Sequence, residues 1–301
     1  MRIVAALGGN ALLERGESPD ACIQEEHVAK AVTALVPLLR EHEVIITHGN
    51  GPQVGVLAIE SAGDPALSRP YTFDVLGAQT QGMIGYWIAQ AVSAVLPDRP
   101  AVCLVCRTIV HDGDPAMTHP TKFVGPVYDE ATALRLGSER GWAMRKDGTA
   151  WRRVVPSPEP VRIVELDMIR LLAASGATVI CAGGGGVPVT RNAAGGLHGV
   201  EAVLDKDLTA ALLARDTGAD ALLLLTDVPA VIDGYGTSRA KPIRRATVAE
   251  LRDRAFPAGS MGPKVEAACR FAEAAGQPAA IGQLTDAAAL LAGTAGTIVT
   301  P

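Results

Sequence analysis

The sequence predicts an α/β fold: an open, mainly parallel sheet sandwiched by helices, with a small protruding subdomain. Three observations carry this expectation. Short continuous apolar runs recur at RIVAAL (2–7), EVIITH (43–48), AVCLVC (101–106), ATVICA (177–182), ADALLLLT (219–226) and GTIVT (296–300), as suits strands buried on both faces. Stretches with apolar residues three and four apart lie between them. Glycine-rich turns directly follow several of the runs, at the place where open α/β sheets bind ligands.

Taken in order, the first helical pattern covers 25–41, where Val28, Val32, Leu35 and Leu39 share a face. Pro37 is expected to kink or interrupt it. A second pattern covers 161–175 through Ile163, Leu166, Ile169 and Leu172, and Gly176 closes it as a C-cap. Further helices are expected at 207–217 and 263–275. One stretch breaks the rhythm. From His111 to about Pro160 the chain is polar and rich in turns, with Pro115, Pro120, Pro126, Pro156, Pro158 and Pro160. It holds FVGPVY and then WAMRKDGTAWRRVV, in which Lys146-Asp147-Gly148-Thr149 reads as a hairpin tip. A structureless loop of that length would be improbable, so 111–160 is expected to be an inserted, mobile subdomain.

Composition narrows the function classes. The 301 residues are 48% apolar and 20% charged, which suits a globular enzyme rather than a disordered chain. A formal charge of −5 argues against a general nucleic-acid binder. No apolar run reaches membrane-spanning length, and MRIVAAL is too soon broken by glycines to be a signal peptide. The expectation is a cytoplasmic protein. Cys22, Cys103, Cys106, Cys181 and Cys269 are scattered and odd in number, so no disulfide framework is expected. Cys103 and Cys106 form a C-x-x-C, but on a strand they would face opposite ways.

Gly8-Gly9-Asn10 follows the first run, Gly49-Asn50-Gly51-Pro52-Gln53 the second, and Gly183–Gly186 the run ATVICA. One such turn alone is ordinary. Three after buried strands point to an anionic ligand, because glycine backbones close on phosphates with their N–H groups. The GxxxxGK[ST] pattern of common ATPases is absent. GNGPQVG also misses the dinucleotide fingerprint, since its spacing is wrong and Asp64 and Asp74 lie in loop-like sequence. Positive charge must come from elsewhere. Lys206 stands between Asp205 and Asp207 at an expected helix start, where the aspartates read as caps. Lys264 also sits at a helix start, against the dipole, which suggests a phosphate partner. Lys122 follows Pro120 in the inserted segment. Alone, each lysine reads as a surface charge.

Together these segments resemble the carbamate kinases of the amino-acid kinase superfamily. The matching stretches are ALGGNAL (6–12), HGNGPQVG (48–55), PTKFVGPVY (120–128), RRVVPSP (152–158), GGGGVPV (183–189), GVEAVLDKD (199–207), LLTDVPAV (224–231) and GSMGPKVEAA (259–268). The resemblance implies one amino-acid kinase domain over 1–301. Its N-lobe, about 1–190, would bind carbamate and carry the protruding subdomain at about 111–160. Its C-lobe, about 191–301, would bind nucleotide. It implies reversible transfer of phosphate between ATP and carbamate, with carbamoyl phosphate and ADP as products and Mg2+ held mainly by phosphates. A homodimer is also implied, with ATP formation in arginine or purine catabolism as the expected direction. Most superfamily members carry a lysine two residues before the first glycine, where this chain has Ala6. Carbamate kinases use a subdomain lysine instead, which here would be Lys122.

By the same resemblance, Lys122, Lys206 and Lys264 are catalytic and Asp207 holds the last two. Gly8, Gly9 and Asn10 would bind the transferring phosphoryl, and Gly49, Asn50 and Gly51 the carbamate. Asp227, Ala230, Tyr235, Met261 and Pro263 would lie at the nucleotide, and no side chain is assigned as a metal ligand. The run Ile232-Asp233-Gly234-Tyr235 departs from the family's aromatic- and Asn-containing pattern near the adenine. Carbamate is already an anion, so no general base is needed, and His48 is expected to pack or hydrogen-bond. A sister kinase for another small acid would be expected to keep the lysine missing at Ala6. A non-catalytic metabolite-binding homologue would be expected to lose one of the three lysines.

Overall fold

The fold is seen in a computed structural model, which describes residues 1–9, 12–14, 16–257 and 261–301. An eight-stranded sheet forms the centre. Its order is Arg245–Thr247, Thr297–Thr300, Ala279–Gln283, Ala221–Thr226, Arg2–Leu7, Glu43–His48, Thr178–Ile180 and Ala101–Cys103. The last six of these are parallel, and the first two run opposite to them. The apolar runs become strands because both faces are covered. Val4 and Ala6 pack into one core, while Ile3, Ala5 and Leu7 pack into the other, as the two-residue period of a strand requires. Helices Lys206–Thr217 and Met261–Ala275 feed the first core, and Ala21–Glu41 and Phe73–Val95 the second.

Several local expectations are corrected. Pro37 does not interrupt its helix, which runs unbroken over Ala21–Glu41. Pro37 and Thr33 are both exposed, so the carbonyl that loses its N–H partner can turn to water. Ile163 belongs to a short strand paired with Thr108, and the helix begins only at Leu166. The AVCLVC strand ends at Cys103. Cys103 packs against one core and Cys106 lies in the other. Strands Arg245–Thr247 and Ala279–Gln283 were not expected, because Arg245 is charged and AAIGQ is weakly apolar.

Within the inserted stretch, Lys122–Tyr128, Ala150–Val155 and Met144–Asp147 form a separate antiparallel sheet. Asp147 pairs with Ala150 across Gly148-Thr149, and Gly148 takes φ +66°. This sheet rests on the body through a close backbone contact. A Cβ on Gly55, in helix Gly51–Gly63, would come within 3.2 Å of Gly125 Cα. Arg153 adds a second anchor. It donates to Glu201 at 2.8 Å and stacks on Phe73 and Trp142, 4.9 and 4.3 Å from the ring centres.

The helix Phe73–Val95 meets the sheet edge at Gly85, where a Cβ would run into Cys103 Sγ. Gly85→Ala should therefore cost about 1–3 kcal/mol, the usual range for overpacking. Urea denaturation should show the loss, and adding Cys103→Ala should recover much of it. Full additivity of the two changes would contradict the contact.

Candidate active site

Four neighbouring parallel strands deliver their turns to one end of the sheet. Arg2–Leu7 leads to Gly8-Gly9, Glu43–His48 to Gly49-Asn50, Thr178–Ile180 to Gly183–Gly186, and Ala221–Thr226 to Asp227. The turns pack backbone against backbone. A Cβ on Gly49 would lie 3.2 Å from Gly9 N and 3.3 Å from Lys206 Cδ. In the Gly183–Gly186 turn, Gly184, Gly185 and Gly186 take φ +62°, +94° and +88°, a run that side chains rarely adopt.

The glycines divide their roles. Gly8 N–H donates to Leu225 O at 2.9 Å. That corrects the expectation that Gly8 would offer its N–H to a phosphoryl group: the neighbouring strand has taken the donor. Gly8 serves close approach instead, since a Cβ there would sit 3.0 Å from Leu225 O. Gly49 N–H is likewise given to Leu7 O at 3.0 Å. Gly9 has open space beside it. Asn10 lies outside the described residues, as do Ala258, Gly259 and Ser260 of the last glycine motif. Gly51 starts the helix Gly51–Gly63, so its N–H has no partner within that helix.

The lysines converge from three separate segments on two aspartates. Asp205 caps helix Lys206–Thr217, its Oδ1 accepting from Asp207 N–H at 3.0 Å and Leu208 N–H at 3.3 Å. Its Oδ2 accepts from Lys122 Nζ at 2.8 Å. Asp207 is 5% exposed, accepting from Lys206 Nζ at 2.6 Å and from Lys264 Nζ at 2.8 Å. Lys122 belongs to the inserted segment, which is expected to be mobile. In this structure it is already docked, because the second carboxylate oxygen of the helix cap is free to receive it.

Electrostatics follow from burial. Desolvation raises the Asp207 carboxyl, but Lys206 and Lys264 outweigh it and hold the group at about 2. Burial pushes the Lys206 ammonium below its usual value, against the pull of Asp207 and with Lys264 adding repulsion. His48 is fully buried, and desolvation lowers it to about 4. Its Nδ1–H donates to Gly49 O at 2.8 Å, since a carbonyl can only accept. The ring is therefore neutral at pH 7 and adds no positive charge.

Beside Lys264 lies a cavity of about 580 Å³ lined by Gly8, Gly9, Asp227, Ala230, Tyr235, Met261 and Lys264 among others. Pro263 does not line it. The proline sits in the first turn of Met261–Ala275, where its missing N–H costs nothing. Ile232, from the run placed near the adenine, lines the cavity too, as do Phe256, Pro257 and Val228, to which the sequence assigned no role. Phe256-Pro257 was the available signal, an apolar pair in an otherwise charged loop. Gln53 was also passed over. It is 2% exposed and donates to Gln24, and its Oε1 is unpartnered among the described residues.

No group of three or more His, Cys, Asp or Glu side chains able to hold a metal occurs among the described residues. Asp205 and Asp207 are taken up by lysines. That donor set fits a Mg2+ held by phosphate oxygens and water rather than by a protein cage.

Asp207→Asn would leave two half-buried ammonium groups facing each other without their shared counter-charge. Breaking a buried pair in this way should cost about 3 kcal/mol or more at pH 7. The carboxyl is depressed in the folded state, so its contribution is present above its ordinary 3.8 and vanishes as pH falls through about 2. Urea titrations should accordingly show the gap between wild type and variant closing between those values. A gap that persists at the lower limit would contradict the pairing.

Comparison with known proteins identifies the family. The model of the amino acid kinase family matches residues 1–283. The chain is similar to a carbamate kinase of Rhizobium meliloti, with 50% identity covering 99% of this chain and 93% of the relative. A carbamate kinase of Escherichia coli K12 is 47% identical, over 99% of this chain and 98% of the relative. Among solved structures, carbamate kinase from Giardia lamblia bound to AMP-PNP superposes with a TM-score of 0.92. It is 37% identical and covers 99% of this chain and 98% of its own. With both fold and sequence matched along essentially the whole length, the chain belongs to the amino acid kinase family and, within it, to the carbamate kinases.

Proposed function

We propose that the protein catalyses ATP + carbamate ⇌ ADP + carbamoyl phosphate. One observation carries this reading: Lys122, Lys206 and Lys264 converge from three segments on Asp205 and Asp207, and Lys264 lines a cavity bordered by Gly8 and Gly9. Phosphoryl transfer needs positioning and charge stabilisation more than covalent catalysis. In the forward direction a carbamate oxygen bonds to the γ-phosphorus as the bond to ADP breaks. Carbamate has no proton on that oxygen, so no base is required, and the buried neutral His48 is left to hold the Gly49 carbonyl. Lys206 and Lys264 stabilise the transferring group from the nucleotide side. Lys122 acts from the carbamate side, supplying the charge that Ala6 does not. Gly9 and Asn10 receive the phosphoryl, while Gly49, Asn50 and Gly51 hold carbamate. Asp227, Ala230, Tyr235 and Met261 take the nucleotide. Mg2+ bound with the nucleotide would supply charge neutralisation at the phosphate oxygens, and no side chain is assigned to hold it.

The same reading makes the protein a cytoplasmic homodimer running toward ATP. No helix among the described residues is long and apolar enough to cross a membrane. Light scattering should give twice the 31.1 kDa chain mass; a monomer would reject the dimer.

Purified protein should form ATP from ADP and carbamoyl phosphate with Mg2+ present. Lys206→Ala and Lys264→Ala should each lower kcat by roughly 10²-fold or more, the scale for losing a transition-state charge donor. Lys122→Met should lower kcat/KM for carbamoyl phosphate and leave ADP affinity within about twofold. His48→Gln should do much less. Absence of ATP from folded wild type would favour a non-catalytic homologue, and a His48→Gln loss as large as the lysine losses would defeat the base-free mechanism.

A further inference from the structure

We propose that Thr80 is a positioning residue for substrate selection: its hydroxyl locks the Asn50 amide so that Oδ1 faces the cleft and accepts an N–H from the acyl group. The inference rests on the carbamate reading above. Thr80 is completely buried in helix Phe73–Val95. Its hydroxyl carries one proton, which goes to Gly77 O at 2.9 Å. Toward Asn50, also 2.9 Å away, Thr80 can therefore only accept, and the amide must present Nδ2 to it.

The other half of the amide is then fixed as well. Asn50 is the N-cap of helix Gly51–Gly63, a position where an Asn oxygen ordinarily accepts from the first helical N–H groups. Here it makes no capping bond. Among the described residues Oδ1 takes no protein hydrogen bond, and it is not sealed away like Gln53 Oε1. Gly184 presses on the amide: at φ +62°, a Cβ there would lie 2.6 Å from Asn50 Cγ and 2.7 Å from Oδ1. Asn50 thus offers an oriented acceptor one residue from Gly49, which touches the Lys206 side chain. Carbamate carries an NH2 group that can fill this acceptor. Acetate puts a methyl group in its place and leaves the oxygen unpaired, which is how a built hydrogen-bond site rejects an analogue.

The test compares two phosphoryl donors of the same shape. Carbamoyl phosphate and acetyl phosphate each break an acyl O–P bond, pass the phosphoryl group to ADP and release carbamate or acetate. Wild-type protein should prefer carbamoyl phosphate by about tenfold or more in kcat/KM, the scale of one hydrogen bond at a built site. Thr80→Val removes the acceptor for Nδ2, so the amide can turn over, and the preference should fall about tenfold. Thr80→Ser keeps the hydroxyl and should restore it. If Thr80→Val does not fold, Thr80→Ala makes the same measurement. A purely structural role would lower both substrates together, and an unchanged ratio in the variant would overturn the proposal. So would equal use of the two donors by wild type. Failure of wild type to make ATP from either donor would instead remove the carbamate reading, and this inference with it.

Discussion

Two carboxylates at the start of one helix organise the charged centre of this protein. Asp205 caps the helix and Asp207 follows two positions later in its first turn, and between them they hold lysines from the inserted subdomain, from their own helix and from Met261–Ala275. Without them, three ammonium groups would be brought together against strong repulsion. With them, three positive charges face two negative ones, which leaves a surplus that a phosphate can satisfy. The cost appears on Lys206, whose ammonium is disfavoured by burial even though it has a partner. Buried ion pairs seldom add net stability; this one sets geometry.

The sheet supplies the other half of that geometry. Parallel strands end on the same side, so the four central ones bring their turns together without further design. Close approach then depends on residues that lack side chains. Gly49 lies against Gly9 and Lys206, Gly55 against Gly125, and Gly184 against Asn50. Hydrogen bonds from Gly8 to Leu225 and from Gly49 to Leu7 extend the strand ladder into the turns. Rigidity of the core is thereby carried to the place where a ligand would be held.

Much of this was legible in the sequence because its signals are local. Buried parallel strands announce themselves as apolar runs, and Asp205-Lys206-Asp207 marks a helix start whatever the rest of the chain does. The strands Arg245–Thr247 and Ala279–Gln283 were not legible, since their pairing comes from sheet neighbours rather than from their own pattern. The docking of Lys122 on Asp205 was equally hidden. It joins residues 83 positions apart, and nothing near either one announces the other. Gly8 shows a related limit: a glycine after a strand does not reveal whether its N–H is free. The Thr80 hydroxyl was invisible for the same reason, because its meaning depends on Asn50, thirty positions earlier.

The distribution of thiols has a practical side. Of five free cysteines, Cys106, Cys181 and Cys269 are buried and Cys103 is half-buried. Burial pushes the Cys103 and Cys269 thiols up, and Cys181 is raised by its hydrogen bond with Cys106. Thiolate, the reactive form, is thus scarce at Cys103, Cys181 and Cys269. Cys22 alone is exposed, in the first turn of Ala21–Glu41 and two residues from Gln24, which bonds Gln53 behind the Asn50 turn. The unaltered chain therefore offers one natural attachment point for a fluorophore or spin label, set next to the side chains that support the proposed carbamate pocket.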